Sequence, residues 1–161
     1  SLLTRVGRGA RAIAGFWVVL GLAGAGSGQV WARLLGGARG GSAAAVLFVL
    51  LAVATGIPAV TSAPVPLYAS GALFGLCFLS LVGAVTAAGR DAVAAEDTTA
   101  ALSMLTTVFA LGQVVGPWFT GVLADRTGGH QLGLGVSTGM LLVGAVLCRR
   151  QPPHELSLIH N

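Results

Sequence analysis

The feature that most constrains the fold is an uncharged run of 25 residues, from Ala100 to Ala124. As an α-helix, a run of this length crosses the ~30 Å hydrocarbon core of a bilayer. The whole chain has the same character, because 55% of its 161 residues are hydrophobic, 9% are charged and its mean hydropathy is +0.86. A soluble domain has about 25% charged residues. The chain is therefore predicted to reside in a membrane.

Four further apolar runs accompany this one, separated by short polar, Gly-rich or Pro-rich connectors. The five predicted spanning helices are residues 13–35, 43–60, 67–89, 100–124 and 131–148. Residues 1–12 are predicted to be a connector, 13–150 the transmembrane bundle and 151–161 a tail. Helices satisfy their own backbone hydrogen bonds in lipid, whereas open sheets do not. The predicted fold class is all-α, a polytopic membrane helix bundle.

The long uncharged run contains a stripe of small residues and a proline. Gly112, Gly116 and Thr120 recur every four residues and so share one helix face, where another helix backbone can approach closely. Pro117 has no N–H and leaves the Gln113 carbonyl without its helical partner, which predicts a bend. Lipid cannot satisfy that carbonyl, so the bend is expected to face protein or a watery cavity.

The helix cores contain no charged side chain, so the polar candidates are amides and hydroxyls. Ser and Thr in membrane helices usually donate to their own backbone, and we expect this of Thr55, Ser80, Thr86, Ser103, Thr106, Thr107 and Thr138. An amide is more costly to bury. Gln29 and Gln113 are therefore the candidates to line a cavity. Alternatively, Gln113 satisfies backbone groups at the Pro117 bend.

Several classes of function are disfavoured by what the sequence lacks. It has no Ser/His/Asp constellation, phosphate-binding Gly loop, CxxC motif or metal-ligand spacing, so we expect no enzyme, no metal and no cofactor. Its nine basic residues are all Arg and lie singly or in pairs between apolar runs, where topology signals lie rather than nucleic-acid sites. Cys77 and Cys148 are expected to be free thiols.

Three motifs carry a resemblance to a known family. The stretch from Gly112 to Gly121, with Gly116-Pro117 at its centre, resembles the Gly-Pro motif of the major facilitator superfamily. The segment 123–128, LADRTG, is similar to the sequence that follows the eleventh helix of many members. Residues 16–28, followed by Trp-Ala-Arg-Leu at 31–34, resemble an eighth helix entering the conserved cytoplasmic loop. The pattern looks closest to the YbfB/YjiJ-type bacterial branch.

The resemblance implies site residues as well as a fold. The helix-bend and packing motif would comprise Gly112, Gly116, Pro117, Thr120 and Gly121. The loop motifs would comprise Arg33, Asp125 and Arg126. The chain would correspond to helices eight to twelve, the C-terminal half of a twelve-helix transporter without its seventh helix.

The resemblance also implies a function and partners. The chain would be part of a secondary active transporter that moves a small-molecule solute by rocking one helix bundle against another. It would lie in the lipid bilayer of a bacterial cytoplasmic (inner) membrane, with its carboxyl end inside, and pair with the missing N-terminal half of the same transporter. The alternative is a non-transporting integral membrane subunit or scaffold.

Overall fold

The computed structural model describes residues 2–35, 41–127 and 129–150, with side chains for 9–32, 41–126 and 129–150. The loop at 36–40, the Arg33 side chain and the predicted tail at 151–161 lie outside this description. Every regular element within it is helical. The helices are α1 Leu2–Leu35, α2 Ser42–Val60, α3 Pro64–Asp91, α4 Thr98–Thr127 and α5 Gln131–Arg149, with a short 3₁₀ turn at Ala95–Asp97 before α4.

All five α-helices are long and apolar enough to cross a membrane. The predicted fold class, a polytopic all-α bundle with about five spanning helices, is therefore confirmed. No strand occurs among the described residues. Such an arrangement is stable in lipid because each helix satisfies its own backbone groups.

The first helix differs from the sequence interpretation at its start. Residues 1–12 were predicted as a connector, but α1 is helical from Leu2, and its candidate span begins at Gly9. Hydropathy indicates where a segment is apolar enough to enter the bilayer, and a helix can begin before that point. No proline interrupts residues 2–12, and the Leu, Ala and Arg there favour helix.

A proline lies at the start of α3 and another near the end of α2. Pro64 lies in the first turn of α3, so the helix begins three residues before its predicted start at 67. A proline is tolerated there because the first N–H groups of a helix have no partner within it. Pro58 lies inside α2, which ends two residues later at Val60.

The core of the bundle lies between α2 and α3. It contains Ala44, Leu47 and Leu51 of α2 with Cys77 and Leu81 of α3. α2 also packs along α5, α1 packs along α3, and α4 has much slighter contacts with α3 and α5. Both cysteines are free thiols, as predicted.

Glycines allow α1 and α3 to approach closely. A Cβ atom on Gly71 would lie 2.9 Å from the Cζ atom of Phe16, and one on Gly75 would overlap the backbone carbonyl of Leu20. Both glycines are buried. Small residues at helix contacts allow this proximity in membranes, so Gly71 and Gly75 fix the distance between the two helices.

Candidate functional site

The helix that carries the Gly-Pro motif, α4, is the most exposed in the bundle. None of its described side chains is buried. Its attachments lie along one edge, where Phe109 meets Phe78 of α3 with ring centroids 6.4 Å apart and Leu105 lies against Gly89. The remaining surface includes large apolar side chains such as Trp118, which is 68% exposed. α4 therefore presents most of its circumference to whatever surrounds this chain.

The predicted small-residue stripe lies mainly on that uncovered surface. A Cβ atom added to Gly112, Gly116 or Gly121 would have no atom of another part of the described chain within 4 Å. Thr120 is half-buried, and its side chain lies beside Gly133 of α5. Within residues 9–32, 41–126 and 129–150, the stripe thus touches another helix only at its Thr120 end. Its role in close helix packing stays a prediction.

The backbone around Pro117 is supported by a hydroxyl. α4 continues as an α-helix through the proline. The Oγ1 atom of Thr120 donates to the carbonyl oxygens of Gly116, at 3.0 Å, and Pro117, at 3.1 Å. Such back-bonding is associated with helix bending. Pro117 leaves the Gln113 carbonyl without a backbone donor. The Thr120 hydroxyl donates to the carbonyls about one turn further along the same helix.

The two predicted cavity-lining amides both lie on exposed surfaces. Gln29 is exposed on α1, and Gln113 is exposed on α4. An amide facing hydrocarbon without partners is costly. Both positions therefore suit a side chain that another protein surface, a solute or water covers, and their cavity-lining role stays a prediction.

The predicted loop residues lie at the end of α4. Asp125 and Arg126 are exposed, and Arg126 belongs to the last helical turn. A cation at this position favours the negative end of the helix dipole. The side chain of Arg33, the other loop residue, lies outside the described residues.

The hydroxyl groups follow the expected pattern with one exception. Each donates to the carbonyl four residues earlier at 2.8 to 2.9 Å in the confirmed cases, Thr55, Thr86, Ser103, Thr106, Thr107 and Thr138. Ser80 is the exception. Its Oγ atom is buried and has no hydrogen-bond partner in the described part of the chain. In the other six cases the hydroxyl hydrogen is satisfied within the side chain's own helix.

Sequence reasoning missed three hydrogen bonds between helices. Trp31 Nε1 donates to the Leu76 carbonyl at 2.7 Å, Tyr68 Oη to Ala12 at 2.9 Å, and Ser70 Oγ to Ala54 at 2.7 Å, in the buried contact of α3 with α2. Trp and Tyr near helix ends are ordinarily interpreted as interfacial anchors. The sequence shows these polar side chains but does not show which helix lies beside each of them, so it did not indicate the acceptors.

The described residues bring together no group of three or more His, Cys, Asp or Glu side chains that could hold a metal ion. The one ion pair recorded among them joins the adjacent residues Arg90 and Asp91, at 3.6 Å between highly exposed side chains. Exposed pairs of this kind contribute little to stability. Contacts among the described residues are thus dominated by apolar packing and hydrogen bonds rather than by ion pairs.

Five helices that are each long and apolar enough to cross a bilayer define an integral membrane protein. A family model described as "Uncharacterised MFS-type transporter YbfB" matches residues 1–149. The chain belongs to this family of MFS-type transporters, which are not enzymes. Comparisons with curated proteins and with solved structures each found no match. The suspected major facilitator resemblance and the integral membrane location are confirmed.

Proposed function

We propose that this chain is a fragment of the C-terminal half of a secondary active transporter, which moves a small solute across a bacterial cytoplasmic membrane by rocking two helix bundles. Membership of an MFS-type family supports transport in general and favours it over a non-transporting subunit or scaffold. In such architectures the solute site lies near the bilayer midplane, between two repeats or bundles that move against one another.

The observation that carries the proposal is the contrast between two sets of glycines. Gly71 and Gly75 are buried under α1, whereas Gly112 and Gly116 form an equally narrow surface with nothing of the described chain against it. A stripe of small residues is useful in lipid when another helix packs on it. We therefore assign the uncovered face of α4 to the N-terminal half of the same transporter.

The polar groups needed for transport would be divided between the two halves. The cores of the spanning helices carry no charged side chain. Proton or ion relays in membranes use such groups, so a coupling residue would belong to the other half. Gln29 and Gln113, exposed on α1 and α4, are the side chains of this chain assigned to the solute-facing side.

The test substitutes the stripe in a protein that contains both halves. Gly116→Leu is expected to abolish transport because its side chain would occupy the space assigned to the partner helix. Pro117→Ala is expected to restore the missing backbone bond and shift the balance of inward and outward states. The control is Gly139→Leu in α5, another glycine with open space around it but outside the stripe.

Transport rate is measured per amount of folded protein in the membrane. Rates equal to the parent for both Gly116→Leu and Pro117→Ala would refute the proposed moving contact. A parallel loss of expression and activity would instead identify the stripe as a packing feature. Residues 1–161 reconstituted alone are expected to insert without transporting, and solute uptake by them would contradict the assignment of a second half.

A further inference from the structure

The Leu76 carbonyl lies where α3 meets α1, and both of its acceptor positions are in use. Within the continuous helix α3 it accepts the backbone N–H of Ser80, four residues later. It also accepts the indole N–H of Trp31 in α1 at 2.7 Å. A carbonyl oxygen has two lone pairs. No acceptor position therefore remains on this oxygen.

The Ser80 hydroxyl is the group that this arrangement deprives of a partner. By the geometry that other helix hydroxyls follow, it would donate to Leu76, just as Thr86 on the same helix donates to Val82 at 2.8 Å. Ser80 Oγ is instead the one buried side-chain oxygen without a partner among the described residues. An unsatisfied buried hydroxyl is unfavourable. The Trp31 bond between α1 and α3 thus leaves the Ser80 hydroxyl without its usual acceptor.

We propose that Trp31 and Ser80 compete for the Leu76 carbonyl, and that this competition forms a two-state latch between α1 and α3. In the closed state, which the structure presents, the indole holds the carbonyl. In the open state the Trp31 end of α1 separates from α3, and the Ser80 hydroxyl takes its place. The hydrogen bond that Ser80 forms in the open state offsets part of the free energy lost when the Trp31 bond breaks.

The rest of the interface confines the opening to one end of α1. Near the start of the helix, Tyr68 donates to the Ala12 carbonyl at 2.9 Å, and the Phe16 ring lies over Gly71. Trp31 lies near the other end, four residues before Leu35. An indole near a helix end lies within reach of interfacial water, which satisfies its N–H after release. The latch does not depend on the proposed solute or second half.

The first experiment measures how fast the Trp31 indole hydrogen exchanges with deuterium in the chain in micelles. Trp17→Phe and Trp118→Phe leave Trp31 as the single indole signal in a nuclear magnetic resonance spectrum. Ser80→Ala is expected to slow exchange about three- to tenfold, because the open state loses its compensating bond. Thr86→Val, which removes a hydroxyl from the same helix, is the control and should leave the rate unchanged.

The second experiment is a double-mutant cycle on the equilibrium unfolding of the chain in detergent. With Trp31 present, Ser80→Ala is expected to favour the folded form about three- to tenfold, because it removes an unsatisfied hydroxyl. With Trp31→Phe, the carbonyl is free for Ser80, and Ser80→Ala should then give no such gain. An equal effect in both backgrounds, or unchanged indole exchange in Ser80→Ala, would overturn the competition.

Discussion

Alanine at Gly75 and at Gly112 should have opposite consequences, although the chemical change is the same. Both glycines lie inside long spanning helices, in α3 and α4. A methyl group at Gly75 would overlap the Leu20 carbonyl and lie 3.2 Å from the Ala23 methyl, whereas one at Gly112 would meet no other part of the described chain within 4 Å. Because the Leu20 carbonyl belongs to a helix backbone, it cannot move aside as a flexible side chain would.

The magnitude follows from two terms, one of which cancels. Replacing a mid-helix glycine by alanine favours the helix by about 0.8–1 kcal/mol, and this gain applies to Gly75 and Gly112 alike. Overpacking a close contact costs about 1–3 kcal/mol and applies to Gly75 alone. We therefore expect Gly75→Ala to be about 1–3 kcal/mol less stable than Gly112→Ala.

The assay is reversible unfolding of residues 1–161 by sodium dodecyl sulfate from mild detergent, followed by circular dichroism. The free energy of unfolding is compared between the two variants rather than with the parent, so that the helix-propensity term drops out. Equal free energies would mean that α1 does not lie against Gly75 as the structure places it. A larger loss for Gly112→Ala would mean that the stripe on α4 is packed by this chain.

Three other outcomes are expected. Ser70→Ala should lower the free energy of unfolding by about 0.6–1.7 kcal/mol, because it removes the buried bond to Ala54, while Ser103→Ala, which loses only a bond within its own exposed helix, should change it much less. Tyr68→Phe should speed amide hydrogen exchange at the start of α1, and exchange equal to the parent would exclude the Ala12 bond as an anchor. A reporter that functions only in the cytoplasm should be active when it is fused after Arg150. Activity of a reporter that functions only outside the cytoplasm would instead reverse the predicted topology.

The sequence by itself determined the class of fold. Uncharged runs such as 100–124 can lie in a bilayer only as helices, because lipid offers no partner to backbone N–H and C=O groups. Spanning helices are therefore visible in composition alone, and the Gly-Pro pattern at 112–121 carried the family resemblance that the family match confirms. The bonding of Thr55 and Thr86 to their own helices was equally predictable, since the acceptor lies four residues away in the same element.

The tertiary structure decided which small residues are contacts and which are open surface. Gly71–Gly75 and Gly112–Gly116 have the same spacing, yet only the first pair lies under another helix, because spacing defines a face without defining its neighbour. The Leu76 partner of Trp31 was likewise hidden, since it lies 45 residues from the indole along the chain, and so was the loss of that acceptor to Ser80. A hydrogen bond within a helix is set by local geometry, whereas one between helices depends on how the bundle is assembled.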